Sequence, residues 1–294
     1  MVKAYAKINL GLHILRKRED GYHDIETVFH RVNLYDEITL EPSSTISLSC
    51  NDPGIPLDDR NLCVRAAQIL QQACGTKLGA RISLNKRIPA GAGLGGGSSD
   101  AAATLGGLLR LWNEHVDEHA LREVAIQLGS DVPYFLNDGT AYATGRGEVL
   151  HYFTLDVPYW IVLVYPHLHI STAWAYENAT VRGSQLTGRT RPDRIRIKEA
   201  LVENILDLRL LSAHLENDFE APVFQAHPLV KEVREKLYGS GAGFAQMSGS
   251  GSAVYGLFKD GPSARRTVDD LGRSCAAFLT APHFQPERSK MPGR

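Results

Sequence analysis

The sequence predicts an α+β protein of two lobes, and three observations carry that prediction. Apolar residues alternate with others from Val2 to Ile14, the period of a half-buried strand. Segments of helical spacing then flank a glycine-rich run. From about residue 155, a second half repeats the mixture of apolar strands and amphipathic helices.

The elements follow in order. Val2, Ala4, Ala6, Ile8, Leu10, Leu12 and Ile14 set the first strand, and residues 25–34, 36–40 and 45–50 read as short strands broken by polar turns. Leu62, Ala66, Ile69, Leu70 and Ala73 fall on one helical face, with Gly75 as a stop. Ile82 and Leu84 mark a strand before the glycine run. After it, Ala101, Leu105, Leu108, Leu109 and Trp112 share a helical face, and a helix over 120–128 ends at Gly129. In the second half, residues 160–165 and 253–258 read as apolar strands, and 198–211 and 230–238 as helices. Residues 183–196 are polar, basic and glycine-containing, the composition of a mobile surface loop, and the Pro- and charge-rich end reads as a frayed tail.

Composition narrows the class. Hydrophobic content of 43% and charged content of 22% are those of a soluble globular protein. A net charge of −1 gives no global field for nucleic acid or an anionic membrane, so an anionic substrate needs local cations. Cys50, Cys63, Cys74 and Cys275 are scattered, which reads as reduced thiols without a metal site. With no signal-peptide core and no apolar run of spanning length, the expected location is the cytoplasm.

The glycine-rich run is Pro89, Ala90, Gly91, Ala92, Gly93, Leu94, Gly95, Gly96, Gly97, Ser98 and Ser99, followed by Asp100. Glycines let the backbone bring its N–H groups close to a ligand, and the helix that follows offers unpaired N–H groups and the positive end of its dipole. Together they make an anion site, most often for phosphate. The plain alternative is a flexible loop before a helix. A Walker loop is excluded, because no lysine follows Gly97. Gly91, Gly93 and Gly96 fit the dinucleotide spacing, but Glu114, Asp117 and Glu118 lie just past a helix rather than after a second strand. The His-Arg-Asp and Asp-Phe-Gly motifs of a protein kinase are missing.

The pattern Pro-x-x-x-Gly-Leu-Gly-Gly-Gly-Ser-Ser-Asp resembles the second motif of the GHMP small-molecule kinases, named for galactokinase, homoserine kinase, mevalonate kinase and phosphomevalonate kinase. Further segments are similar to the branch that phosphorylates a cytidine-diphosphate-linked methylerythritol. They are residues 6–12 (Ala-Lys-Ile-Asn-Leu-Gly-Leu), 20–23 (Asp-Gly-Tyr-His), 129–135 (Gly-Ser-Asp-Val-Pro-Tyr-Phe) and 248–252 (Ser-Gly-Ser-Gly-Ser). The resemblance implies a ribosomal-protein-S5-like nucleotide-binding lobe over 1–154, a ferredoxin-like lobe over 155–282, an active site in the cleft between them, and a flexible tail over 283–294. It also implies ATP and Mg²⁺ as cofactors, a small-molecule substrate, and a monomer or weak homodimer without nucleic-acid or membrane partners.

Phosphoryl transfer needs alignment, positive charge and a partner for the acceptor hydroxyl. The resemblance makes Asp131 the base. A structural reading competes, because Ser130 or Asp131 before Val132-Pro133 is a good helix cap. The resemblance also places Lys7 beside Asp131, where a cation keeps a carboxylate ionised, whereas its parity with Lys3, Tyr5 and Asn9 also suits an outward face. Asn9 would hydrogen-bond the erythritol part. Tyr22 and His23 would belong to the cytidine pocket, with His23 reading the base and Phe29 and Tyr176 sandwiching it, although Asp20-Gly21 also reads as a hairpin turn. Residues 93–99 would cradle ATP phosphates, with Ser98 or Ser99 able to touch Mg²⁺, and residues 248–252 would pack against them. Asp100 is a possible helix cap, and Lys86 and Asn61 are placed near the nucleotide. No acidic cluster marks a metal site. The rival readings are a GHMP kinase acting on mevalonate, homoserine or a sugar, against which Tyr22-His23 argues, and a silent nucleotide-binding regulator, which would be expected to lose Asp131 or Lys7.

Overall fold

The computed structural model describes residues 1–179 and 196–287. The surface loop expected over 183–196 therefore lies, apart from Arg196, outside the described residues, as does the tail from 288 onward.

Strand β1 (Val2–Lys17) and strand β2 (His23–Ser43) form a long antiparallel hairpin turned at Gly21, whose φ is +85°. The sequence predicts a break in β2 near the charged Asp36, but β2 is one strand. Asp36 is fully buried, and its carboxylate accepts the backbone N–H groups of Arg87 (2.5 Å) and Ile88 (2.8 Å), which replaces the water a turn would have supplied. The lobe continues through β3 (Ile46–Cys50), α1 (Leu62–Cys74), β4 (Gly79–Asn85), α2 (Gly96–Trp112), α3 (Glu118–Leu128), a 3₁₀ turn (Val132–Leu136), β5 (Thr140–Thr144) and β6 (Val149–Phe153). Its sheet runs β3-β4-β2-β5-β6, with β1 along β2. Leu70, Leu105, Leu108 and Val124 of the helices pack with Ile38 and Ile82 of the sheet into one core.

The second lobe holds β7 (Trp160–Tyr165), α4 (Thr172–Asn178), α5 (Ile197–Asn204), α6 (Leu208–His214), α7 (Glu220–Ala226), α8 (Pro228–Gly239), β8 (Phe244–Met247), β9 (Val254–Phe258), α9 (Gly261–Leu271) and β10 (Ala276–Thr280). Its antiparallel sheet has the order β10-β7-β9-β8, with helices between β7 and β8 and between β9 and β10, the ferredoxin-like arrangement expected. The helix expected over 198–211 is two helices, because the Asp207 carboxylate accepts the amides of Arg209 and Leu210 and starts a new one.

Strand β1 joins the lobes. Ala6, Ile8 and Leu10 pack with Leu163, Leu201 and Tyr255 of the second lobe, so β1 is buried on both faces rather than one. Its end is stitched across by Leu12, which donates to the Glu216 carbonyl (2.8 Å) and accepts from the Asp218 amide (2.9 Å). Among the described residues, no helix is long and apolar enough to cross a membrane.

Candidate active site

The glycine-rich loop sits where the lobes meet, and its glycines are required there. Gly93 has φ +78°, and a Cβ on it would stand 2.1 Å from the Ser248 carbonyl oxygen. Residues 248–252 do pack against this loop. Ser248 Oγ donates to the Gly93 carbonyl (3.0 Å), and the Ala253 amide donates to the Ala92 carbonyl (3.1 Å). Ala92 and Leu94 are 1% exposed, so their side chains anchor the loop in the core while its backbone lines the cleft. Gly95, at φ +69°, turns the chain into α2, whose first bond runs from the Ser99 amide to the Gly95 carbonyl (2.8 Å). The amides of Gly96, Gly97 and Ser98 precede that bond and belong to the open helix end, an arrangement suited to anionic oxygens. Ser99 Oγ is committed to the Tyr5 carbonyl (2.8 Å), which leaves Ser98 as the hydroxyl on the cleft side.

Lys7 reaches the same cleft. Register shifts in β1 after Tyr5 and after Asn9 re-aim its side chains, and Lys7 and Asn9 become 4% and 2% exposed instead of facing solvent. Lys7 Nζ lies 3.4 Å from Asp131 Oδ2 and donates to Asn9 Oδ1 (2.6 Å). Asn9 Nδ2 donates in turn to Thr27 Oγ1 (2.9 Å), and Thr27 Oγ1 to the Gly11 carbonyl (2.6 Å). Burial pulls the Lys7 ammonium below its ordinary pKa, against the opposing pull of Asp131. Asp131 does occupy the cap position of the 3₁₀ turn, yet its side chain makes no capping hydrogen bond. Its carboxylate, 32% exposed, is directed to Lys7 and the cleft.

The aromatic residues divide. His23 stacks on Tyr176 at 4.8 Å between ring centroids and 13° between planes, and Tyr22 stays 55% exposed. Burial, then Asp131, pushes the Tyr176 hydroxyl up to about 12. Phe29 lines the cleft but is 1% exposed, with the Lys7 ammonium 4.8 Å from its ring centroid and Tyr134 tilted against it. A ring so covered offers no free face for a base, so the sandwich expected from Phe29 does not fit this packing. Phe29 instead forms the floor under Lys7.

Lys86 and Asn61 hold structural partners, and Lys86 Nζ would stand 3.2 Å from a Cβ on Gly96 at the start of α2. Asn61 caps α1, accepting from the Cys63 amide (2.9 Å). Lys86 Nζ lies 2.5 Å from Asp36 Oδ2 and 2.8 Å from Asp100 Oδ2 inside the lobe. Asp100 therefore pairs with Lys86 instead of capping α2, whose cap is Gly95. Burial and the nearby Asp36 push the Asp100 carboxyl up to about 7 against the pull of Lys86. Burial lowers Lys86, but the two carboxylates outweigh it and its pKa is raised.

The loop, Lys7, Asn9, Phe29, Asp131, Tyr176 and residues 249–250 line one cleft of about 320 Å³, whereas Tyr22, His23, Asn61 and Lys86 are not part of its lining. Arg146 and Thr172 also line it and were not singled out from sequence. The local signal for Arg146 is its place between Gly145 and Gly147, a cation presented on a tight turn. Thr172 has no such mark; its hydroxyl meets Ser250 Oγ at 3.1 Å. Among the described residues, no group of three or more His, Cys, Asp or Glu is placed to hold a metal ion.

The chain resembles known proteins in sequence and in fold. Residues 61–139 match the family described as GHMP kinases N terminal domain, and residues 197–277 match GHMP kinases C terminal. The chain is 47% identical over 286 residues to a 4-diphosphocytidyl-2-C-methyl-D-erythritol kinase of Prosthecochloris aestuarii, covering 96% of this chain and 97% of that protein. It is 46% identical over 291 residues to the protein of the same name from Chlorobium limicola, covering 98% of each. A crystal structure of 4-(cytidine 5'-diphospho)-2C-methyl-D-erythritol kinase superposes with a TM-score of 0.78 at 38% identity, covering 95% of this chain and 97% of that one. The chain belongs to the 4-diphosphocytidyl-2-C-methyl-D-erythritol kinases, ATP-dependent enzymes of the GHMP kinase superfamily.

Proposed function

We propose that this enzyme transfers the γ-phosphoryl group of ATP to the 2-hydroxyl of 4-diphosphocytidyl-2-C-methyl-D-erythritol, giving the 2-phosphate and ADP. The observation that carries the reading is the Lys7–Asp131 pair, whose carboxylate is free of any capping duty and shares a cleft with the glycine-rich loop. Loop amides and the α2 N-terminus hold the ATP phosphates. Asp131 accepts the proton of the acceptor hydroxyl as its oxygen attacks phosphorus. Lys7 pairs with that carboxylate and steadies the charge gathering on the transferring group. Asn9 spends one amide N–H on Thr27 and accepts from Lys7, so it retains an N–H and a lone pair for the erythritol hydroxyls. Tyr22 supplies an exposed ring face for cytosine, and His23, stacked on Tyr176, reads its edge.

Where ATP binds as its Mg²⁺ complex, phosphates and water would hold the ion, and the Ser98 hydroxyl is the loop oxygen that could add to them. The lobes divide at 154/155, in the segment joining β6 to β7. The acting unit is a cytoplasmic monomer or weak homodimer.

The test is ADP release from MgATP with each of four acceptors: the cytidine compound, mevalonate, homoserine and galactose. Turnover confined to the cytidine compound supports the reading. Turnover with a different acceptor overturns the cytidine pocket and keeps the phosphate loop.

A further inference from the structure

We propose that Arg146 binds the diphosphate bridge of the acceptor and so selects nucleoside-diphosphate-linked alcohols over free ones. This rests on the substrate reading above. Such an acceptor carries its base at one end, its reacting alcohol at the other and two negative phosphates between them. The protein has no overall positive field, with a net charge of −1, so those phosphates require a cation within the cleft. Among the described residues lining the cleft, the cations are Lys7 and Arg146, and Lys7 is committed to Asp131 and Asn9.

Arg146 stands between the two ends. Its guanidinium carbon is 4.9 Å from the centroid of the exposed Tyr22 ring, on the base side. On the alcohol side, the next residue, Gly147, lies against the reacting carboxylate: a Cβ there would be 3.5 Å from Asp131 Oδ1. The turn is fixed by its neighbours. Gly145 accepts the Ile25 amide (2.7 Å), the Gly147 amide donates to Thr144 (3.1 Å), and both glycines have positive φ. Glu148 Oε2 accepts the Arg146 backbone amide (2.6 Å), and its Oε1 stands 3.6 Å from Arg146 Nε. That contact occupies one edge of the guanidinium and leaves the Nη1 and Nη2 groups for a second anion. A planar fork that stays charged suits two phosphate oxygens better than an ammonium would.

The experiment compares cytidine and CDP as inhibitors, together with turnover of the cytidine-diphosphate acceptor, in the wild type, Arg146→Gln and Arg146→Lys. The inference predicts that wild type prefers CDP to cytidine and that Arg146→Gln reduces this preference about 10- to 100-fold, the range for charge-assisted bonds. The KM for the acceptor rises to match, while cytidine and ATP binding hold. Arg146→Lys retains part of the preference, and it serves as the test should the glutamine variant not fold. An unchanged CDP-to-cytidine ratio in variants that still turn over the acceptor overturns the role of Arg146. A wild-type enzyme that binds neither cytidine nor CDP overturns the substrate reading itself, and the inference with it.

Discussion

Lys86 and Asp100 stand 2.8 Å apart on opposite sides of the glycine-rich loop, one before its first residue and the other after its last. Asp36 closes the triad and also holds the amides of Arg87 and Ile88. The two ends of a loop that must be glycine-rich are thus tied by a buried ion cluster. Replacing the cation alone would leave two carboxylates facing each other away from water. Lys86→Met is therefore expected to destabilise the protein by about 3–5 kcal/mol and to raise the KM for ATP. Urea unfolding and ATP titration check both, and unchanged values would remove the staple from the account.

The seating of the loop predicts a second effect. Gly93 needs a left-handed backbone and tolerates no Cβ beside Ser248. Gly93→Ala costs roughly 1–2 kcal/mol in backbone conformation alone and displaces residues 248–252. ATP affinity should fall about tenfold or more, measured by isothermal titration. Wild-type affinity would mean that this close contact is not needed to shape the anion site.

Much of this was legible in the sequence, and the exceptions have physical causes. The strand over 160–165 and the helix ending at Gly75 were readable because apolar period and stop signal coincide there. Strands β5 and β6 escaped because they lie among Gly139, Gly145 and Gly147, which read as turn rather than strand. Helix α7 escaped because seven residues make only about two helical turns, too few for a helical period to stand out, while α9 did carry a capping Asp260 and an early Pro262 that could have marked it. The loop, Lys7 and Asp131 were legible as motifs. The Lys86 triad and the place of Arg146 were not, since both depend on β2, whose Asp36 and Ile25 come from a distant part of the chain.

The buried ammonium predicts a pH dependence. Burial favours the neutral form of Lys7, so its pKa lies below the ordinary 10.5. As pH rises through that lowered value, the charge beside Asp131 is lost and kcat falls. Lys7→Arg stays charged and should lose this basic limb, even at reduced activity. A limb persisting at the same pH in Lys7→Arg would assign it to a different group.

His30 gives a stability counterpart. Buried against Thr140 Oγ1 (2.8 Å), its pKa falls from 6.5 to about 4 through burial. Between those values the unfolded chain binds more protons than the native one, so stability drops as pH falls from 6.5 towards 4. The loss amounts to about 3 kcal/mol over the window. His30→Gln should flatten that slope in denaturant titrations across this range, and an unaltered slope would show that different groups set the acid limb.

The central claim is that Asp131, held by Lys7 at 3.4 Å, handles the acceptor's proton. Single-turnover phosphoryl transfer by Asp131→Asn, with ATP binding measured alongside, tests it most directly. The account predicts transfer slowed about 100- to 10,000-fold with ATP affinity retained. Transfer at the wild-type rate in a variant that still binds ATP would contradict it.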